Sequence, residues 1–548
     1  MLGLAKAVQM TGVAVTERLN EFDCQVIVVG GGPVGLGLAI DLAQRDISVQ
    51  VIERSTEVHD IPKGQNLTQR SGEHFRSWNV LAEIEAASPI PREFGNAGMV
   101  AYNTLLGDYH YDWFKRGAVA DYYFARNQRL PQYEAEKVLR ARAAQLSNIT
   151  VHYGCKAVDA RQEAGGVTIS YQPSDNEKVE TLYAPYAVGC DGSRSVFREA
   201  AGIEQNVDPH DRKMVLLVFN STRLHDLLER YPGKSIYNTL NPELDGYWQF
   251  LGRVDLDGTW FYHAPVPLDT TLDNYDFSAY LQRAIGGKFE IEFRHIGFWD
   301  LRITHAKTYR RNRLFIAGDA AHSHPPYGGY GINTGFEDVR NLSWKLVASL
   351  EGRAGENLLD SYDAERRPVF GSTSRDFISR MIEDDRSFIN AYSPDKDLQA
   401  FEEAWQTRAE GGNADVTQFL PHYEGSPIIT GSEGEPGARG VHMMEARPGH
   451  HLAPVALSGD RDLFEDLGQG FSLIALDGDA KVEQEFATTA NRLGMPLTII
   501  QDSCADGREA YQARYILVRP DHFVAWVGDK APLDIERILA RAIGVPVE

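Results

Sequence analysis

A β-branched run, Cys24 to Val29, leads without a spacer into Gly30-x-Gly32-x-x-Gly35, and Val34, Leu36, Leu38, Ala39 and Leu42 then follow in helical order. No other feature of the chain limits its fold so narrowly. A short apolar run ending in glycines reads as a strand buried on both faces, which belongs in a parallel sheet. The three glycines have separate roles. Gly30 turns the chain, Gly32 lets the backbone approach a pyrophosphate, and Gly35 lets helix and strand pack closely. The helix that starts near Pro33 then offers free N–H groups and a partial positive charge to an anion. A second run, Ile47 to Ile52, ends in Glu53, placed to accept from an adenosine ribose 2′-OH. Arg54 follows it and would suit a 2′-phosphate, which the Glu53 carboxylate would repel. The turn fits FAD and NAD alike.

Two later elements complete a split pattern. Val188-Gly189-Cys190-Asp191-Gly192-Ser193-Arg194 and Leu314-Phe315-Ile316-Ala317-Gly318-Asp319-Ala320-Ala321-His322 stand far down the chain. Tyr186 to Arg198 resembles the aspartate-glycine fingerprint, and Arg313 to Ala321 the glycine-aspartate fingerprint, of the single-component FAD-dependent aromatic hydroxylases. That family includes phenol, 3-(3-hydroxyphenyl)propionate and nitrocatechol monooxygenases. Pro325 to Leu346 resembles its flavin loop and following helix, and Tyr362 to Pro368 its next landmark. The likeness covers most of Phe22 to about Met381.

The resemblance implies FAD as cofactor and NADH or NADPH as reductant. Asp319 would hydrogen-bond the ribityl or pyrophosphate region, and the backbone N–H groups of Gly331, Ile332 and Asn333 would reach the flavin pyrimidine edge. Gln132 matches a glutamine near the cofactor. Asp191 would support nicotinamide and flavin binding by positioning main-chain groups. Pro325 and Pro326 would stiffen the loop by fixing φ. Lys63 stands where the family usually has an arginine, Tyr330 replaces a glutamine and Ile332 a methionine. Lysine and arginine differ in fork geometry, so the flavin contacts should differ in detail.

The implied reaction hydroxylates a substituted phenol with dioxygen through a flavin C4a-hydroperoxide, in a site closed to water. A group that promotes the phenolate would strengthen attack on the ring. The inserted sheet offers Tyr262 and His263, with Trp260, Tyr247, Tyr123 and His295 behind them, and Gln65 and Asn66 follow Lys63 in a loop expected to line the pocket. Alternation places Trp260 and Tyr262 on one face of their strand, Phe261 and His263 on the other. A Baeyer–Villiger or epoxidising monooxygenase would share every cofactor motif, and a flavin-binding redox sensor would share the fold without the turnover. The WxWxIP signature of flavin-dependent halogenases is absent.

At 548 residues the chain needs two or three domains. The fold expected is α/β: a Rossmann-like FAD-binding domain with an inserted antiparallel-sheet substrate domain and a thioredoxin-like C-terminal domain. The boundaries expected are an arm over 1–21, the cofactor domain over 22–205 and 301–423, the substrate sheet over 206–300, a Gly/Pro-rich linker over 424–440, and the last domain over 441–548. A net charge of −22 argues against nucleic acid and anionic membranes as partners. The partners expected are a small aromatic substrate, dioxygen and the reduced nicotinamide, in the cytoplasm. Four cysteines without a CxxC pair suggest neither a disulfide framework nor zinc. The His322-x-His324 pair lacks further ligands nearby, so no metal is expected. Without a CxxC the last domain is expected to serve packing or homo-oligomer formation rather than redox work.

Overall fold

In the computed structural model, which describes residues 22–94, 98–163 and 165–547, Val26–Val29 is a strand with all four side chains buried. The arm expected over 1–21 lies outside the described residues. Tyr186–Gly189 and Val49–Glu53 flank Val26–Val29 in parallel. The resulting six-stranded sheet runs in the order 310–311, 314–316, 186–189, 26–29, 49–53 and 149–153, with only the first edge strand antiparallel. Thus three strands adjacent in space come from three distant parts of the chain, each ending in one of the glycine elements. Helices Pro33–Ala43 and Gly331–Leu350 and a three-stranded antiparallel sheet over 155–184 share one apolar core with it.

A second sheet has eight strands, in the order 322–323, 292–306, 205–220, 259–267, 248–253, 236–240, 98–102 and 110–113. The antiparallel sheet expected over 206–300 is present, yet it is not confined to that segment. It recruits Gly98–Tyr102, in parallel with Ile236–Leu240, and then His110–Trp113. Both Gly98–Tyr102 and Ile236–Leu240 are buried at all five positions, and a strand so covered is unsuited to an open edge. Helices Arg223–Leu228 and Phe277–Ile285 pack on one face of this sheet. The other face looks towards the glycine turns.

The C-terminal region orders its strands 497–502, 471–476, 515–518 and 524–528. The first pair is parallel and the others antiparallel, with helices Ala480–Arg492 and Ile535–Ala542 completing a βαβ–ββα, thioredoxin-like order. Strands 515–518 and 524–528 are joined by a turn in which Arg519 N–H donates to Phe523 O at 2.8 Å. The 424–440 stretch is packed structure rather than a free linker: Ile428 and Ile429 are buried, and Gly437–Arg439 pairs with Phe419–His422.

Where this region meets the cofactor domain, the buried Glu365 carboxylate accepts from Lys345 Nζ at 2.7 Å, Asn341 Nδ2 at 2.7 Å, Ser426 Oγ at 2.6 Å and both Arg519 Nη atoms at 2.6 and 3.0 Å. Burial pushes its pKa up, but Arg519 and Lys345 together hold it well below the usual carboxylate range. Among the described residues, no helix is long and apolar enough to cross a membrane.

Candidate active site

A cavity of about 710 Å³ opens where the parallel strands end, lined there by Gly32, Cys190 and Ala317. Ligands of open α/β sheets bind at the carboxyl ends of the strands. The backbone is locked around this point. Gly30 has φ +104°, and a Cβ on it would stand 2.4 Å from the Cys190 carbonyl oxygen. Cys190 N–H in turn donates to Val29 O at 2.6 Å, so the first and second glycine elements interlock. A Cβ on Gly35 would lie 1.9 Å from Gly30 O, whereas one on Gly32 would meet nothing within 4 Å. Gly32 therefore borders open space that a ligand can press into.

Two helix N-termini face this space. Pro33–Ala43 and Gly331–Leu350 each lack a side-chain cap and an acidic residue in the first turn, and Pro33, Gly331 and Ile332 line the cavity. Uncapped N–H groups carry partial positive charge. One such end suits a pyrophosphate, and the other suits a ring that gathers negative charge on reduction. These residues fit FAD.

The other expected cofactor residues fall into two groups. Lys63, Gln132 and Asp319 line the cavity. Gln132 is held there by its N–H bond to Gly64 O at 2.8 Å. The turn carrying Asp319 is held from behind by Asp338, whose carboxylate accepts from Gly318 N–H at 3.0 Å, His322 Nε2 at 2.7 Å and Arg366 Nε at 2.8 Å. Burial raises the Asp338 pKa, but His322 and Arg366 outweigh it and keep the group ionised. His322 is thus taken up by an acid, one step behind the cavity.

Glu53, Arg54, Asp191 and Asn333 do not line the cavity. Glu53 accepts from Gly31 N–H at 2.6 Å and Ser55 N–H at 2.7 Å. Arg54 is exposed. Asp191 accepts from the Ser195 hydroxyl and from Phe197 N–H, which fixes the loop whose Cys190 and Gly192 do reach the cavity. The Asn333 amide ties two walls together, donating to Asn66 O at 2.8 Å and Gly329 O at 2.6 Å and accepting from Thr68 N–H at 2.8 Å. Of the three residues whose backbone N–H groups were expected at the flavin edge, Gly331 and Ile332 line the cavity and Asn333 does not.

Of the residues expected on the substrate side, Gln65 and His263 line the cavity, as does Pro326 of the stiffened loop, and Tyr262 does not. The pairing by alternation holds, but Tyr262 and Trp260 point away, into the core beneath Phe277–Ile285. Tyr262 packs edge-on to Tyr280. Its expected role on substrate is therefore wrong, because the helices cover its face of the sheet.

On the cavity face, Phe261, His263, Phe250 and Trp299 form an aromatic wall, with the His263 ring 5.1 Å from Trp299. Burial pushes His263 down to about 3, and burial pushes His324 down to about 4. Both are neutral imidazoles at neutral pH, able to orient or accept a hydrogen bond without bringing charge. Sequence reasoning missed Phe250, Trp299, His324 and Arg129. Alternation along the strands offered the first two; nothing local marked Arg129.

Residues 23–375 match the family model described as FAD binding domain, and 445–546 that described as aromatic-ring hydroxylase, C-terminal. The chain is 30% identical to a rifampicin monooxygenase of Streptomyces venezuelae over 94% of this chain and 97% of the relative. It is 29% identical to a 4-methyl-5-nitrocatechol 5-monooxygenase of a Burkholderia species over 96% and 98%. The fold is shared with the flavin-dependent monooxygenase PieE, solved with FAD and substrate, at a TM-score of 0.83 and 22% identity, covering 95% of this chain and 99% of that one.

Proposed function

Because the chain belongs to the FAD-dependent aromatic monooxygenases, we propose that it hydroxylates a substituted phenol, with dioxygen as co-substrate and NADH or NADPH as reductant. One observation carries the reading: the same cavity joins two uncapped helix N-termini to an aromatic wall on the large sheet. Bound FAD would supply the redox chemistry, with two electrons drawn from the nicotinamide and one atom of dioxygen entering the ring while the other leaves as water. The chain's own residues set the conditions for it.

Gly32 and Pro33 admit a pyrophosphate to the first helix N-terminus. Gly331 and Ile332 present the second to the place where charge gathers, stabilising the reduced form. Phe250, Phe261 and Trp299 keep water from the reacting face. His263, neutral within that wall, orients the substrate without bringing a charge to it. A relative named for a nitrocatechol supports a phenolic substrate.

The test is anaerobic stopped-flow reduction of FAD-loaded protein by NADH and by NADPH, with and without substituted phenols including nitrocatechols, followed by aeration and product analysis. One phenol should speed reduction by at least about a hundredfold, close to 3 kcal/mol of barrier, and emerge with one added oxygen. Failure of every phenol to stimulate reduction, or oxygen consumption with no oxygenated product, would overturn the reading.

A further inference from the structure

Arg129 is buried in the cavity wall, 4% exposed. It sits on a two-residue strand, Gln128–Arg129, whose pairing sets Arg129 opposite Asn66 and so beside Gln65. Its Nη2 donates to Gln65 Oε1 at 3.3 Å and to Ser235 O at 3.1 Å. Among the described residues its Nε has no partner, and no carboxylate lies within ion-pair distance of the guanidinium. Asp300, an acid of the cavity rim, faces Arg194 and Arg302 at 3.8 and 4.0 Å instead, and Asp319 pairs with no arginine among the described residues. Gln65 is 5% exposed, and its Nε2 is likewise without an acceptor among them.

Such an arrangement is costly as it stands. A buried charge is ordinarily paired, and a buried donor without an acceptor loses its water for nothing in return. Arg366, by contrast, has Asp338, and Arg519 has Glu365 and Asp521; Arg116 and Arg253, also buried, have no acid among the described residues, but neither lines this cavity. Arg129 and the adjoining Gln65 each keep a donor without an acceptor among the described residues, and both residues line the large cavity. Two free donors side by side, one charged, complement an oxygen with negative charge.

We propose that Arg129 and Gln65 form an anion subsite that binds the substrate's phenolic oxygen as phenolate, and so ionise the ring for attack. The inference rests on the hydroxylase reading and names what that reading lacked, the group that favours the phenolate. The O–H bond breaks before the cavity is covered, the proton leaves to water through the open mouth, and the electron pair stays on the oxygen facing Arg129. Burial pushes the guanidinium down only to about 9, so it is still charged at neutral pH. An opposite charge beside a phenol lowers its pKa from near ~10 by about 1–3 units.

Oxidised, FAD-loaded protein tests this without turnover. Para-nitrophenol is the probe, because its phenolate absorbs visible light, and nitroanisole is its uncharged counterpart. The cavity should bind the phenolate at least about tenfold more tightly than the ether and lower the bound probe's pKa by about one unit or more. Arg129→Met should abolish both effects with FAD retained and nitroanisole binding unchanged, and Arg129→Lys should keep part of them. Gln65→Leu should weaken phenolate binding about threefold, the scale of one neutral hydrogen bond.

A second measurement needs no ligand. Removing an unpaired buried charge should raise the midpoint of thermal unfolding of substrate-free Arg129→Met by about 1–3 °C, where loss of a structural arginine would lower it. An unchanged titration in Arg129→Met, no preference for phenolate over ether in the parent protein, or loss of FAD in parallel with the probe would each overturn the proposal. Phenolate binding at Arg129 with no oxygenation of any phenol would instead overturn the hydroxylase reading alone.

Discussion

Buried charge is treated in opposite ways at the domain junction and in the cavity. At the junction Glu365 is saturated by four neighbouring side chains, and Arg519 divides its guanidinium between Glu365 and Asp521. In the cavity the polar groups have vacant valences: Arg129 Nε, Gln65 Nε2, His263 Nδ1 and His324 Nε2 all lack partners among the described residues. A saturated network holds a structure together, while vacant donors and acceptors wait for a ligand. The same types of side chain are thus divided between stability and binding by whether the protein itself supplies their counterparts.

Mutations can sharpen that contrast. Glu365→Ala strands Lys345 without its acid and leaves Arg519 only Asp521, and should cost about 3–5 kcal/mol of stability, read as a shift in the denaturant midpoint; a loss below about 1 kcal/mol would show the junction to be less interdependent than its geometry. Gly32→Val should act in the other manner. Its extended backbone, φ −75° and ψ −178°, accepts a side chain, so the apo-protein should stay within about 0.5 kcal/mol, while FAD affinity falls about a hundredfold, as measured by flavin fluorescence on titration.

Acid should distinguish the regions as well. The folded protein holds His263 at about 3 against an ordinary 6.5, so only the unfolded chain takes up that proton between those values. Its contribution is complete above 6.5 and is lost as pH falls towards 3, by up to about 1.4 kcal/mol per pH unit. Glu365 is depressed from an ordinary 4.5, so its contribution is complete above 4.5 and is lost only as pH falls below it. The stability curves of the parent and His263→Asn should therefore converge from 6.5 downward, and parallel curves would sink the assignment. The smallest effect is expected of Tyr262→Phe, which lies behind the sheet: kcat/KM should stay within about twofold, or roughly 0.4 kcal/mol.

The backbone half of the site was legible in the sequence, and the side-chain half only in part: Lys63, Gln65, Gln132, His263 and Asp319 line the cavity as expected, whereas Tyr262 does not. Gly30 and Gly35 declare a turn because only glycine satisfies its geometry, while Gly32 keeps space open for a ligand, and both demands are local. Alternation paired Phe261 with His263 correctly, but which face met the cavity depended on helices Arg223–Leu228 and Phe277–Ile285 covering the other. Gly98–Tyr102 could not be assigned to the substrate sheet because its partner, Ile236–Leu240, lies more than a hundred residues away. Ile428 and Ile429 are buried within a stretch whose Gly and Pro content reads as a linker, since composition reports flexibility of the chain and not what packs on it. Arg129 was invisible for a related reason: its significance is a missing partner, and an absence in three dimensions leaves no trace in the order of residues.

The interleaving of the six-stranded sheet also bears on how the chain is made. Strand 26–29 cannot close on both its neighbours until 186–189 has been synthesised, and the third glycine element waits for 314–316. At roughly 5–20 residues per second of translation, the first glycine turn leaves the ribosome on the order of 15–60 s before the strand that completes its pocket. Non-local pairing of this kind is slow to form and leaves apolar strand edges exposed meanwhile. The nascent chain should therefore depend on chaperones through that interval, and cofactor capture should be a late event, after more than half the polypeptide has emerged.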